Sequence, residues 1–295
     1  MKNIKSIWRK KWLPYYFITP VVVLILLVIF LPIIYALWLS TQKTDFTTPI
    51  GFIGLHNYIN IFTDPDINFF NSLKSSLQFV VGSLAITIPF ALILAVLLNK
   101  NIKYKAFFRS IFVLPWVISQ VAAALIWSWL YNTNYGPLTY LLQVLGFKAI
   151  KFLGDPNYAM ISVIFTNVWR TYPFAMILML AALQSIPKEL VEASRVDGAN
   201  SLQIFFRVKL PLIQNVIMNI FILLSLLYFN TVTVILILTE GGPLNSTYVL
   251  ALKTFKESFF YWKFSTGVTL GVIIFIINIL ISLLYIKILG RESDI

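Results

Sequence analysis

The sequence predicts an all-α membrane protein with six transmembrane helices. Three observations predict it: 59% of the 295 residues are hydrophobic, only 12% are charged, and the mean hydropathy is +0.85. A soluble domain is about half apolar and about a quarter charged, so this composition excludes a water-soluble globular protein. The chain has no Cys and one His, which argues against disulfide scaffolds, zinc sites and thiol- or His-based catalysis.

Six apolar stretches are long enough to cross a bilayer, which takes about 20 helical residues. The predicted spans are 13–40, 75–99, 110–131, 158–183, 211–239 and 264–287. Arg170 is the only charged residue in their interiors. The first stretch follows five basic residues, as a signal peptide does, but it is too long and no small-residue cleavage motif follows. We therefore expect it to remain as the first span.

Basic residues predict the orientation of these spans. One set of non-membrane segments carries 15 Lys and Arg, and the other carries 7. The first set consists of the N-terminal segment 1–12, the loops 100–109 and 184–209, and the residues after Ile286, including a tail at 288–295. The second set consists of 41–74, 132–156 and 240–263. Cytoplasmic segments are enriched in Lys and Arg, so the first set and both termini are predicted to be cytoplasmic. The net charge of +12 then reflects orientation and not nucleic-acid binding.

The cytoplasmic segment 184–211 is patterned like two short helices. Ser185 and Pro187 suit the start of a helix, and Gly198 can end it in a left-handed conformation. Asn200 or Ser201 can then cap a second helix. We expect a sharp bend between two helices at the membrane surface.

This loop resembles a known motif. Glu192-Ala193-Ser194, then Gly198, and then Leu210-Pro211 follow the spacing of the EAA loop in permeases of binding-protein-dependent ABC importers, although Ser194 and Val208 depart from the usual residues. Shorter stretches resemble the carbohydrate branch of that family, the maltose-type and glycerol-phosphate-type permeases. These are Gly54–Tyr58, Leu114-Pro115, Asn167–Trp169, Pro173-Phe174 and Leu238–Pro243. The resemblance implies that residues 72–286 form the transmembrane domain of a type I ABC importer in a bacterial or archaeal cell membrane.

The resemblance also implies a mechanism and partners. The EAA loop would dock on a cytoplasmic ATPase through Glu192, Ala193, Ser194, Gly198, Leu210 and Pro211. The chain would pair with a second homologous permease, two ATPase subunits that bind ATP and Mg²⁺, and an extracytoplasmic binding protein. The chain itself has no P-loop motif, so no cofactor and no catalytic residue is expected on it.

Polar side chains at membrane depth indicate where a solute would pass. Helical spacing puts Asn167, Arg170, Thr171 and Phe174 on one face of the fourth span. The same reasoning pairs Trp116 with Gln120 in the third span, and Tyr228 with Thr231 in the fifth. In maltose-type permeases these three spans hold the sugar, so the resemblance implies that these residues line a path for a sugar or related polyol.

Other functions fit parts of this pattern. Hydrogen bonds between membrane helices would explain each polar residue singly, and Arg170 could contact either an anionic solute or the second permease. A channel or secondary carrier without an ATPase is one alternative, but no Asp or Glu lies in any span. A membrane-embedded lipid enzyme is another, and it would need clustered acids or histidines that the sequence lacks.

Overall fold

The computed structural model describes residues 15–100 and 103–290, with side chains to 287. The predicted segment 1–12, the first residues of the first span and most of the tail 288–295 fall outside the described residues. Helices α1 to α13 are, in order, Tyr15–Leu39, His56–Thr63, Phe69–Asn99, Lys105–Val117, Gln120–Leu130, Pro137–Val144, Pro156–Gln184, Lys188–Val196, Ser201–Leu212, Gln214–Phe229, Thr233–Leu238, Leu250–Phe259 and Phe264–Gly290. Strands β1 and β2 are Gln42–Asp45 and Thr48–Phe52.

The described chain divides into two compact units, 15–67 with 256–273 and 68–255 with 274–290. In the first unit, α1 is apolar and mostly exposed, and it becomes buried only at its last residue, Leu39. After it, β1 and β2 form an antiparallel hairpin, a small exception to the predicted all-α fold. Asn57 secures the hairpin, because its amide nitrogen donates to the carbonyls of Ser40 at 2.8 Å and Gln42 at 2.9 Å. The mostly helical fold class is otherwise confirmed.

The second unit is built on the crossing of α3 and α7, the most extensive helix pair in the protein. Small residues let the two backbones approach. A Cβ added at Gly82 would meet the Ile164 side chain at 2.7 Å, and Ala91 and Ala175 are fully buried. Lipid offers no hydrophobic drive for helices to associate, so membrane helices rely on such close packing. The helix α7 is the most buried of the long apolar helices.

Four described helices are long and apolar enough to cross a membrane singly: α1, α3, α7 and α13. Two helix pairs are also long and apolar enough together, but each is bent. The pair α4 and α5 meets at 96°, and the pair α9 and α10 meets at 63°. The count reaches the predicted six if each pair is one span, and the predicted stretches 110–131 and 211–239 are then interrupted and not straight.

Local chemistry explains both breaks. Pro115 has no N–H to donate to the carbonyl of Ile111, which weakens the last turn of α4 before it ends at Val117. Two residues later, the Ser119 hydroxyl caps α5 by accepting from the Ala122 N–H at 3.2 Å. In the fifth stretch, Pro211 likewise leaves the carbonyl of Arg207 without its helical donor. There α9 widens into a π-helical turn at Phe205–Lys209 before the bend.

A second interruption follows α10. The helix ends at Phe229, and the short helix α11 begins only at Thr233. After α11 comes a turn with two left-handed residues, Glu240 (φ 53°) and Gly241 (φ 92°). The hydroxyl of Thr247 closes this turn by contacting the Thr239 hydroxyl at 2.7 Å and the Gly242 carbonyl at 2.9 Å. The turn sets the direction in which the chain enters α12.

We predict that Gly241→Ala destabilises the protein. The left-handed conformation costs an L-residue about 1–2 kcal/mol, and the new methyl group would also clash with the Tyr248 ring. Thermal unfolding in detergent should show a lower melting temperature. Gly51→Ala is the control, because Gly51 has open space around its Cα and an ordinary φ. Equal melting temperatures for the two variants would contradict the prediction.

Candidate functional site

The candidate solute path is centred on α7. Asp155 starts this helix by accepting from the Asn157 N–H at 2.9 Å, and Pro156 occupies the first turn, where it needs no donor. Polar side chains then recur on its buried side at Asn167, Arg170 and Thr171. The continuous helix therefore holds these three side chains and the partly buried Phe174 along one face, as their spacing predicts.

The Tyr228 hydroxyl joins three helices at membrane depth. It lies 3.0 Å from the Thr87 hydroxyl on α3 and 2.6 Å from the Thr171 hydroxyl on α7. Thr171 donates its only hydroxyl proton to the Asn167 carbonyl at 2.7 Å. It follows that Tyr228 donates to Thr171 and that Thr87 donates to Tyr228. In the described conformation Tyr228 is 1% exposed, so its hydroxyl holds helices together and is closed to a passing solute.

Two neighbouring polar atoms on α7 have no hydrogen-bond partner. Asn167 is fully buried, and its amide nitrogen donates to the Ser83 hydroxyl at 3.3 Å while its Oδ1 contacts no donor. One turn later, the Nε of Arg170 is also buried and unpaired. A buried polar group without a partner costs about 1–3 kcal/mol. A polar ligand, water or another chain at this depth would supply the missing hydrogen bonds of both groups.

The aromatic part of the candidate path lies beside the bend of the third span. The rings of Trp116 on α4 and Phe174 on α7 are 5.9 Å apart, and Trp116 is 47% exposed. Gln120 does not share a helix face with Trp116, contrary to the sequence prediction, because Gln120 begins α5 after the 96° bend. The accessible ring of Trp116 therefore lies next to α7, and the partly exposed amide of Gln120 lies on a different helix, α5.

Thr231 also departs from its predicted position. It lies in the break between α10 and α11, where its hydroxyl donates to the Leu227 carbonyl at 2.9 Å, so it does not continue the helix face of Tyr228. Conversely, Ser83 and Thr87 on α3 contact the candidate residues, and sequence reasoning missed both. The spacing of Ser76, Ser83 and Thr87 repeats at helical intervals within an uncharged span, and that signal could have found them.

The segment between α7 and α10 forms a second candidate site, which we call the α8–α9 bend. Gly198 (φ 82°) ends α8 in a Schellman motif, in which its N–H donates to the Arg195 carbonyl and the Ala199 N–H donates to the Ser194 carbonyl, both at 3.0 Å. Asn200 then opens α9 with a capping box to Gln203. Ser185 does not cap α8, contrary to expectation. Its hydroxyl donates to the Ala182 carbonyl at the end of α7.

The α8–α9 bend presents an uncovered surface. No described residue of α8 is buried, and Glu192, Ala193 and Gly198 are exposed. The Ser194 hydroxyl donates to the Leu190 carbonyl at 2.7 Å, so Ser194 is engaged within its own helix. Leu210 and Pro211 lie in the last turn of α9, at the start of the 63° bend. The exposed helix α8 ends with an apolar residue, Val196, that is 88% exposed, so its surface is suited to contact another protein.

An open pocket of about 590 Å³ lies in the first unit. Phe46 and Trp262 face each other there with ring centroids 6.1 Å apart, and both have left-handed backbones. Lys43, His56 and Lys263 also line the pocket, with Asp45 as its one acid. Non-glycine residues held in left-handed conformations concentrate at binding sites. The pocket is mostly polar and aromatic, its two Lys outnumber its one Asp, and most of it lies in segments that are predicted to be extracytoplasmic.

Metal binding finds no support in the described residues, since they contain no group of three or more His, Cys, Asp or Glu that could hold an ion.

Comparison with known proteins gives consistent matches. Residues 87–292 match the family described as "Binding-protein-dependent transport system inner membrane component". The chain is 30% identical over 285 residues to the "Trehalose/maltose transport system permease protein MalF" of Thermococcus litoralis, covering 96% of this chain and 95% of that protein. It is 33% identical to the "Probable ABC transporter permease protein YurN" of Bacillus subtilis, covering 97% and 99%.

Further matches extend this picture. The "sn-glycerol-3-phosphate transport system permease protein UgpA" of Pectobacterium atrosepticum is 30% identical, covering 100% of this chain and 99% of that protein. Among solved structures, one chain of a bacterial alginate ABC transporter in complex with an alginate pentasaccharide-bound periplasmic protein superimposes with a TM-score of 0.86. That match has 22% sequence identity and covers 99% of both chains. It shows that the two chains share a fold.

We predict that the Tyr228 hydroxyl stabilises the second unit. Tyr228→Phe keeps the ring but breaks the link between Thr87 and Thr171, which should cost about 0.6–2 kcal/mol. Tyr285→Phe is the matched control, because the Tyr285 hydroxyl makes one longer contact, 3.2 Å to Ser225. Thermal unfolding in detergent should rank Tyr228→Phe below Tyr285→Phe, and the reverse order would refute the assignment.

Proposed function

This chain belongs to the family of binding-protein-dependent transport system inner membrane components, and on that premise we propose that it forms, with a second permease, the path by which a sugar or related polyol crosses the membrane. It is a multi-pass permease subunit of an ABC transporter and not an enzyme. Relatives named for trehalose/maltose and for glycerol phosphate, each 30% identical over nearly the whole chain, support the substrate class.

The observation that carries the solute path is the pair of unpaired polar atoms on α7. Asn167 Oδ1 and Arg170 Nε lie one turn apart at membrane depth, where an unsatisfied polar group is expensive. A polyol has hydroxyls that can donate to an amide oxygen and accept from a guanidinium, and its C–H faces can stack on aromatic rings such as Trp116 and Phe174. Gln120, Thr171, Tyr228 and Thr231 complete the proposed path, and a motion that separates α3, α7 and α10 would expose Tyr228.

The α8–α9 bend is the proposed contact with the ATPase subunits. Its exposed small residue Ala193 permits close approach, Glu192 offers an acceptor to a basic group, and the Schellman motif at Gly198 sets the angle between the helices. Leu210 and Pro211 connect α9 to the bent fifth span. Movement of a docked ATPase would therefore reach α10 through a short rigid connection.

The partners follow from the same premise. Two ATPase subunits would bind ATP and Mg²⁺, since this sequence has no P-loop. The distribution of Lys and Arg puts the α8–α9 bend and both termini in the cytoplasm. An extracytoplasmic binding protein would then dock on the opposite side, and the polar, aromatic pocket around Phe46 and Trp262 is our candidate contact.

A transport assay tests the function. The transporter is reconstituted in vesicles with ATP inside, its binding protein outside, and a labelled sugar selected by thermal-shift screening of that binding protein. We expect uptake that requires ATP and the binding protein. Uptake at an equal rate without an ATPase subunit would instead favour a channel or secondary carrier.

We predict that Gly198→Arg uncouples transport. Uptake should fall at least about tenfold while ATP hydrolysis by the ATPase subunits persists, because a bulky side chain would block docking at the α8–α9 bend. Gly146→Arg is a matched control, since Gly146 (φ 85°) also follows a helix in a Schellman motif and has open space around its Cα. Normal uptake by Gly198→Arg, or equal losses in both variants, would contradict the coupling role.

We also predict that Trp116 contributes to sugar affinity. Trp116→Leu keeps an apolar side chain but removes the flat ring, and the apparent KM for uptake should rise about three- to tenfold, the equivalent of one aromatic stacking contact. Trp129→Leu on α5 serves as the control, because Trp129 is similarly exposed but lies outside the proposed path. An unchanged KM in Trp116→Leu would remove this residue from the path.

A further inference from the structure

The helix α6 exposes its apolar side, whereas a normal surface helix buries it. Its residues Tyr140, Leu141 and Val144, with Leu145 directly after its end, form an apolar stripe at helical spacing, and they are between 54% and 68% exposed. The opposite side is held to the protein by a polar residue: Thr139 is buried, and its hydroxyl donates to the Asn132 carbonyl at 3.1 Å. The apolar stripe therefore points away from the protein.

The ends of α6 keep it close to the membrane surface. Only residues 131–136 separate it from α5, and residues 145–155 connect it to the membrane-spanning α7. Gly146 (φ 85°) ends the helix, and the exposed Phe147, Lys148 and Lys151 follow. The segment 132–154 contains no Asp or Glu. An exposed apolar face flanked by Lys, at this depth, has the chemistry of an interfacial helix.

We propose that α6 lies in the outer surface of the bilayer, on the side opposite the α8–α9 bend, with its apolar stripe among the lipid chains. Lys148 and Lys151 contact lipid phosphates. The helix α6 is assigned to the side opposite the α8–α9 bend because α7 crosses the membrane once between α6 and α8. Lipid fits this face better than a protein partner, because Lys is depleted in protein interfaces and frequent beside interfacial apolar faces. The helix then anchors the outer ends of α5 and α7 at a set depth. This inference does not depend on the identity of the solute.

Spin labels test the proposal directly. The chain has no Cys, so Leu141→Cys and Val144→Cys each introduce one nitroxide site into this subunit. The whole transporter, with partner subunits free of accessible thiols, is reconstituted in vesicles of phosphatidylethanolamine and phosphatidylglycerol. Gln143→Cys is the matched control, because Gln143 is exposed on the same helix but lies outside the stripe.

We expect labels at positions 141 and 144 to relax several-fold more with oxygen than with a water-soluble nickel chelate, at a depth of about 5–10 Å. The label at 143 should favour the chelate. Chelate access at 141 and 144 equal to that at 143 would overturn the proposal. Exclusion of both reagents from 141 and 144 would also overturn it, since a protein would then cover the stripe. Tyr140→Cys replaces either variant if that variant fails to assemble with its partners.

Discussion

The hydroxyl of Tyr228 and the constraint that it satisfies explain much of the second unit. The hydrocarbon core of a bilayer offers no hydrogen-bond partners, so a polar group at that depth needs a partner in the protein or in a bound molecule. Tyr228 meets this need for Thr87 and Thr171 together, and it ties α10 to the α3–α7 crossing at contacts of 3.0 and 2.6 Å. Close approach of α3 and α7 at Gly82 brings these hydroxyls within reach. The same constraint makes the unpaired Asn167 Oδ1 and Arg170 Nε, which lie one turn apart on α7, the basis of the proposed path.

Breaks in the helices give this scaffold its functional geometry. The bend before α5 separates Gln120 from Trp116, and the break after Phe229 removes Thr231 from the face of Tyr228. Both breaks are next to the residues proposed for the path, where backbone that departs from a straight helix is tolerated only inside protein or beside a cavity. A straight six-helix bundle would have packed these side chains into its core. The bends instead place these side chains on different helix segments beside α7.

The two proposed working sites, the exposed α8–α9 bend and the buried solute path, depend on different interactions. The α8–α9 bend is exposed and shaped by helix caps, so its geometry is local and rigid. The proposed solute path is buried and depends on contacts among three helices. A permease needs both, because energy supplied at one surface must change contacts within the other. The short connection through Pro211 to α10 joins them.

The sequence by itself determined the membrane class, the number of apolar stretches, the α8–α9 bend and its family motif. Each of these depends on composition or on residues close together in the chain, such as Asn200 with Gln203. Pro115, Ser119 and Pro211 are local causes of the breaks in the third and fifth spans, but only the structure showed that the helices bend there. Only the tertiary structure decided that Ser83 and Thr87 face α7 and that Tyr228 is closed to a solute. These depend on which helices cross and how closely, and hydropathy carries no information about that because lipid-facing and protein-facing residues are equally apolar.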